Sequence, residues 1–187
     1  SFDGTAGSID GISDAAEEAQ KSVAELREEL DELSNSASSL VSEYGSLYDS
    51  LNDLQNGETI NQQQLEELLK IYPQLAGHVT LTADGYTVEA DAINGLKTAI
   101  DNNLNDRIAA EKATTRTVIA EAKERIKVLR AEMSAAAVDM DTTLARKKQK
   151  EIDDAYGIIS VAEAKLDSDN GYFDNLMGAA RNGTSKK

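Results

Sequence analysis

The chain contains no cysteine and no tryptophan, and Pro73 is its only proline. Without cysteine, it has neither disulfides nor thiolate chemistry. Aromatic residues make up only 4% of its 187 residues, although a globular core of this size normally depends on large aromatic side chains for burial. We therefore expect the apolar surface to lie along narrow seams between long helices.

Other features that the sequence lacks exclude further classes of protein. No hydrophobic run approaches the ~20 apolar residues of a membrane-spanning helix, and the first residues do not form the basic start of a signal peptide. The net charge of −15 opposes binding to nucleic-acid phosphates, which requires clustered Lys and Arg. Because the sequence starts at Ser1 without an initiator Met, we expect an internal segment of a longer protein.

Residues 1–56 are predicted to form the first long helix, because apolar positions from Ile9 to Leu54 alternate without a break between three- and four-residue spacings. Such a run predicts a coiled-coil helix, because a 3.5-residue repeat keeps one stripe facing a partner. Gly57 suits a helix end, since glycine adopts the left-handed conformation without strain. The predicted seam is Ile9, Ile12, Ala16, Ala19, Val23, Leu26, Leu30, Leu33, Ala37, Leu40, Tyr44, Leu47, Leu51 and Leu54.

Residues 57–90 are predicted to form a small head that starts with a short helix. Thr59 and Gln62 have the spacing of a capping box, and Pro73 prevents the helix from continuing. The helix should therefore span about residues 60–72.

A β-hairpin should follow in the same head. Asp84-Gly85 is a dipeptide suited to a two-residue type I′ turn. That turn would pair Ala83 with Tyr86 and Leu81 with Val88 on an apolar face, with threonines on the other. We expect the apolar face to pack on the short helix or on the tip of the coiled coil, because an isolated hairpin is marginally stable.

Residues 91–168 are predicted to form one long return helix, followed by a flexible tail at residues 169–187 that is rich in Gly, Asn, Ser and Lys. The part at residues 141–168 would overhang the first helix, so we expect it to drive self-association. In the alternative, the chain bends back near Asp139–Asp141 and packs as a third helix on the same hairpin. The predicted seam is Ile93, Leu96, Ile100, Leu104, Ile108, Ile119, Ala122, Ile126, Leu129, Met133, Ala136 and Met140, continued by Ile152, Ala155, Ile159, Ala162 and Leu166.

Apolar register and charge both favour an antiparallel fold-back of the two helices. If Leu54 meets Ile93, all later seam partners have residue numbers that sum to 147–149. Residues 1–56 hold thirteen acids and two bases, whereas residues 101–150 hold eight acids and eleven bases. This register sets an acidic stretch beside a basic one. The acids are Glu17, Glu18, Glu25, Glu28, Glu29, Asp31 and Glu32, and the bases are Arg116, Lys123, Arg125, Lys127 and Arg130. The predicted fold class is mainly α, a long antiparallel helical hairpin with a small α+β head.

No residues are assigned to a catalytic, cofactor-binding or metal site. The only histidine, His78, has no second histidine or cysteine as a partner and is interpreted as a surface residue at a strand end. Asp167–Gly171 resembles the start of a calcium loop, but Gly171 comes one residue early and Gly178 stands where the glutamate ligand is needed. Asn182-Gly183-Thr184 fits the glycosylation sequon, which matters only in a eukaryotic secretory setting. We therefore expect a protein that is not an enzyme.

Two stretches of the head, residues 58–76 and 84–96, resemble a segment of the tail tape measure proteins of long-tailed phages and prophages of Gram-positive bacteria. In that family a coiled coil leads into a short helix ending in a Tyr-Pro pair, here Tyr72-Pro73, then a small hairpin and a long helix. The resemblance implies a helical protein inside the tail tube that helps to determine tail length. It also implies tube and assembly-chaperone proteins as partners, and the host cytoplasm as the place of assembly.

A second interpretation belongs to another class of protein. Coiled coils of this kind also occur as interaction modules of bacterial surface or secreted proteins. A signal peptide or wall anchor upstream would favour that function, whereas neighbouring tail genes would favour the tape measure.

Overall fold

The computed structural model describes residues 20–183, and these form two compact units. The first, called here the three-helix unit, comprises described residues 20–33 and 113–170. The second, called the head unit, comprises residues 34–112 and 171–183. Within the described part of the chain, no helix is long and apolar enough to cross a membrane.

The protein is mainly α-helical with one small antiparallel sheet, as the sequence predicted. In chain order the elements are α1 (Val23–Gln55), α2 (Gln62–Ile71), a 3₁₀ helix (Pro73–His78), β1 (Val79–Thr82), β2 (Gly85–Val88), α3 (Ala90–Val138), α4 (Thr142–Leu166), a 3₁₀ turn (Ser168–Asn170) and α5 (Tyr172–Arg181). Seam positions Ile9 to Ala19 of the predicted first helix lie outside the described residues.

The three-helix unit has one apolar core, to which α4 contributes. This core corrects the prediction of a single helix over residues 91–168. The α3 helix ends at Val138, and Met140 then adopts a φ of 58°. The Asp141 side chain caps the next helix, α4, by accepting a hydrogen bond from the Leu144 N–H at 3.0 Å. The core consists of Leu26, Leu30, Leu33, Val118, Ile119, Ala122, Ile126, Leu129, Ile152, Ala155, Ile158, Ile159 and Ala162.

The apolar stripe of α4 is buried against α1 and α3 of the same chain. From the sequence, this stripe was expected to pack against a second copy of the chain. The bend at Asp139–Asp141 is the one given above as the alternative. A seam left in water would forgo roughly 1.5–3 kcal/mol for each large aliphatic side chain, which makes the bend favourable. Self-association stays a prediction, but this stripe no longer supplies the reason for it.

In the head unit, residues 34–55 of α1 run antiparallel to residues 90–112 of α3. The Tyr48 hydroxyl donates to Asp101 Oδ1 at 2.5 Å, and the Ser36 hydroxyl donates to Glu111 Oε1 at 2.5 Å. The numbers of these partners sum to 149 and 147, so the predicted register is confirmed in this unit. The buried seam contains Ala37, Leu40, Tyr44, Leu47, Leu51 and Leu54 from α1, with Leu96, Ile100, Leu104 and Ile108 from α3.

The N-cap of α2 is Asn61, two residues after the predicted cap Thr59. Asn61, not Thr59, accepts a hydrogen bond from the Gln64 N–H at 2.9 Å, and the Gln64 side chain accepts one from the Asn61 N–H at 2.8 Å. The Thr59 hydroxyl instead donates to the Asp84 carbonyl at 3.3 Å. Both pairs have the spacing of a capping box, and the tie to the hairpin turn decides between them. The predicted end is confirmed, since α2 stops before Tyr72-Pro73.

The hairpin forms with a register that differs from the predicted one. Leu81 pairs with Tyr86 instead of Val88, and Thr82 pairs with Gly85, so Ala83-Asp84 occupies the turn. The partner numbers change by two in total, which keeps every side chain on its predicted face.

The register differs because Gly85 serves a close backbone approach instead of the turn. Its φ is 146°, and a Cβ at this position would lie 2.6 Å from the Ile60 carbonyl oxygen. Ile60 and Tyr86 exchange two backbone hydrogen bonds at 3.0 and 2.8 Å. The hairpin is therefore supported through β2 and Ile60, and Leu81 of its apolar face stays 68% exposed.

The predicted flexible tail is ordered over its described part. Residues 168–170 form a 3₁₀ turn and α5 follows, with Phe173 and Ala180 buried. Within the described part, Gly171 and Gly183 flank this short helix, and Asn175 and Gly178 lie on its exposed side. Residues 184–187 lie outside the described part.

Candidate functional site

A polar cleft in the head unit is the best candidate for a functional site. Tyr48 contributes a side chain that is only 6% exposed, and its hydroxyl bonds Asp101 on the facing helix. Arg181 of α5 lines the same cleft as Tyr48. The cleft has a volume of about 370 Å³ and is lined by Tyr48, Leu51, Asn52, Gln55, Lys97, Asp101 and Arg181.

The electrostatics of this cleft keep Tyr48 neutral. Burial raises the pKa of Tyr48 well above its ordinary value, and the hydrogen bond to Asp101 raises it further, whereas Arg181 lowers it. A phenol with a raised pKa holds its proton and acts as a hydrogen-bond donor, not as a base or nucleophile. The arrangement is therefore suited to joining three helices.

A second polar contact lies farther along the same hairpin. The Tyr44 hydroxyl donates to Asn103 Oδ1, and the Arg107 guanidinium carbon lies 5.9 Å from the centroid of the Tyr44 ring. Burial is the main cause of the raised pKa of Tyr44. Arg107 also approaches Glu43 at 3.5 Å. These contacts fix the register of α1 against α3.

His78 and the Asp167–Gly171 segment, the candidate site residues of the sequence analysis, make hydrogen bonds with neighbouring protein groups. His78 is exposed at the end of the 3₁₀ helix before β1, with Nδ1 2.9 Å from Glu89 Oε2. In Asp167–Gly171, the segment that resembles the start of a calcium loop, Asp167 Oδ1 accepts a hydrogen bond from the Asp169 N–H at 2.9 Å. Asn170 Nδ2 donates one to the Ala164 carbonyl at 2.8 Å. These groups close the end of α4. Among residues 20–183, no group of three or more His, Asp or Glu side chains could hold a metal ion.

The sequon is divided by the limit of the described residues. Asn182 is exposed at the end of α5 and Gly183 is buried, while Thr184 lies beyond. Nothing in its described part brings it to the cleft.

The predicted pairing of acidic and basic flanks is corrected for Lys123 and Lys127 in the three-helix unit. Lys123 pairs with Glu163 of α4 at 4.0 Å, and Lys127 pairs with Glu124 of its own helix at 2.9 Å. Lys21 bridges Glu29 and Glu121. Lys123 thus takes a partner on the third helix, which a two-helix register left out, and Lys127 takes one on its own helix. The predicted partners Glu17 and Glu18 lie outside the described residues.

Sequence reasoning missed the cleft residues Tyr48, Asp101 and Arg181. Tyr48 lies beside the seam position Leu47, and Asp101 beside Ile100, so their joint position on the flank of one register was a usable signal. Arg181 fell in the segment predicted to be a tail and carried no such signal.

Comparisons with family models, with curated proteins and with solved structures found no match for this chain.

Proposed function

We propose that this chain is a structural segment of a phage tail tape measure protein. The observation that carries the proposal is how the two resembling stretches lie in the head unit. Tyr72, of the Tyr-Pro pair, packs on Gly95 of α3, where a Cβ would lie 2.5 Å from the Tyr72 hydroxyl oxygen. Short helix, hairpin and long helix thus follow in the order of the family segment, and the short helix also contacts β2.

The contacts of the head support a structural role. Leu68 and Leu75 are fully buried, and Gln64 Nε2 donates to the buried Ser50 hydroxyl of α1 at 3.1 Å. These contacts hold α2 and the 3₁₀ helix on the helical hairpin of α1 and α3. The head thereby connects the two long helices and stabilises the turn between them, which is a structural role.

Helical geometry gives a tape measure its physical basis. An α-helix rises ~1.5 Å per residue, so its length follows the number of residues in the gene. A fold-back halves the length that a given number of residues spans, and the segment contributes its full length only when the hairpin opens. From the resemblance, we propose that this segment lies in the tail tube and meets tube and chaperone proteins during assembly in the host cytoplasm.

The location of the parent protein tests the proposal. Tail particles should be purified from an induced culture of the source bacterium and digested, with cell-wall and culture-supernatant fractions from the same culture as controls. Peptides of this chain should be enriched in the tail particles along with the tube protein. Enrichment in the wall fraction or secretion without particles would instead identify a surface or secreted interaction module.

A further inference from the structure

The last described helix, α5, joins the head unit from a distant part of the sequence. It follows residues 113–170, all of which belong to the three-helix unit, and it begins after Gly171, whose φ is 63°. Its ten residues fall short of the ~12–15 that an isolated helix needs for stability in water. The fold of α5 therefore depends on its contacts with α1 and α3.

One end of α5 is anchored by an aromatic side chain. Phe173 is 6% exposed, and its ring meets the Tyr172 ring edge to face with centroids 5.0 Å apart. The Lys112 ammonium of α3 lies 5.6 Å from the Phe173 centroid, a cation–π contact. This end of α5 is thus held on α3 by one ring.

The other end of α5 is anchored on α1. Ala180 is fully buried, and Arg181 lines the cleft together with Tyr48 of α1. Gly183 lies so close to α1 that a Cβ would be 2.2 Å from Asp49 Oδ1 and 3.4 Å from the Gly45 carbonyl oxygen. Its φ of 74° is one that side-chain-bearing residues adopt only with strain.

The contacts between α1 and α3 do not need α5. Tyr48 bonds Asp101, and Ser36 bonds Glu111, without any atom of α5. The buried leucines and isoleucines of the seam belong to α1 and α3 alone. Removing α5 would uncover one side of the hairpin and leave its register in place.

We propose that α5 is a releasable clasp, which docks on the α1–α3 hairpin through Phe173 at one end and Arg181 and Gly183 at the other. Release unfolds α5, opens the Tyr48 cleft and precedes any separation of α1 from α3. The clasp does not depend on the tape measure function. If that function holds, clasp release is the first step by which the hairpin opens.

Hydrogen exchange of the full chain, followed by mass spectrometry, tests the clasp. Phe173→Ala should speed exchange of the α5 amides at least about tenfold, because it removes the buried ring. Gly183→Ala should speed it about fivefold or more through backbone strain. In both variants, exchange in residues 96–108 and 152–162 should stay within about twofold of the unaltered chain.

The matched control is Gly178→Ala within α5. A Cβ there meets nothing within 4 Å, so alanine should slow α5 exchange through its higher helix propensity. The proposal is overturned if Phe173→Ala leaves α5 exchange unchanged. It is equally overturned if α5 and residues 96–108 accelerate together, since α5 would then be an inseparable part of the hairpin. A Phe173→Leu variant, which keeps an apolar anchor, should fall between Phe173→Ala and the unaltered chain, and equal rates for both variants would also overturn it.

Discussion

The Tyr48 hydroxyl donates a hydrogen bond to Asp101 Oδ1 at 2.5 Å across the head unit. This contact joins α1 to α3 in the antiparallel register that the sequence predicted. Tyr48 is nearly buried, and its acceptor is a carboxyl group, so the bond belongs to the stronger class of protein hydrogen bonds.

A double-mutant cycle should measure this contact. Tyr48→Phe and Asp101→Asn should each lower the free energy of unfolding, and the double variant should lose less than the sum of the two. The expected coupling is about 1–2 kcal/mol in urea unfolding. Additive losses would show that the two side chains act independently.

Alkaline pH should weaken the fold through the same tyrosine. The pKa of Tyr48 is raised in the folded chain by burial and by its bond to Asp101. The unfolded chain therefore loses the phenolic proton first, near pH 10, and the free energy of unfolding falls as the pH rises beyond that value. Urea midpoints between pH 9 and 12 should decline.

Tyr48→Phe should make that decline shallower without abolishing it, because burial also raises the pKa of Tyr44. Identical slopes in the variant and the unaltered chain would assign the alkaline loss to other groups.

Two substitutions in α4 should distinguish a third helix from a free overhang. Ile158 is 2% exposed and Val161, three residues away, is 49% exposed. Ile158→Asp should cost at least about 3 kcal/mol, because it places an unpaired charge in the core. Val161→Asp should cost no more than roughly 0.5–1 kcal/mol. Equal melting temperatures for the two variants would mean that α4 does not pack on the hairpin.

Gly85 should be more sensitive to substitution than a glycine in open space. Gly85→Ala combines a φ of 146° with a Cβ 2.6 Å from the Ile60 carbonyl oxygen, and should destabilise the chain by roughly 1–3 kcal/mol. At Gly77 a Cβ meets nothing within 4 Å, so Gly77→Ala is the control and should change stability little. A neutral Gly85→Ala would reject the pairing of β2 with Ile60.

Periodic patterns in the sequence predicted the paired helices of the head unit and their register. The alternation of spacings through Leu40, Leu47 and Leu54 specifies a seam, and a seam of fixed length admits few antiparallel registers. Pro73 likewise ended α2 as expected, because its missing N–H acts locally.

Features that depend on tertiary competition could not be predicted in the same way. Asn61 and Thr59 both have capping-box spacing, and only the contact of Thr59 with the hairpin decides between them. No proline marks the helix break at Met140. Burial of the apolar stripe of α4, which lies farther along the chain, favours the break instead. Arg181 also lines the cleft, and its helix of ten residues is too short to be predicted from local propensity alone.

Tail length tests the central claim most directly. An in-frame deletion of residues 20–183 from the parent gene should give particles with shorter tails in electron micrographs. The shortening should approach roughly 250 Å if each deleted residue spans ~1.5 Å in the tail. Gly178→Ala in the same gene, which preserves length, should leave tails unchanged. Tails of full length after the deletion would contradict the tape measure function.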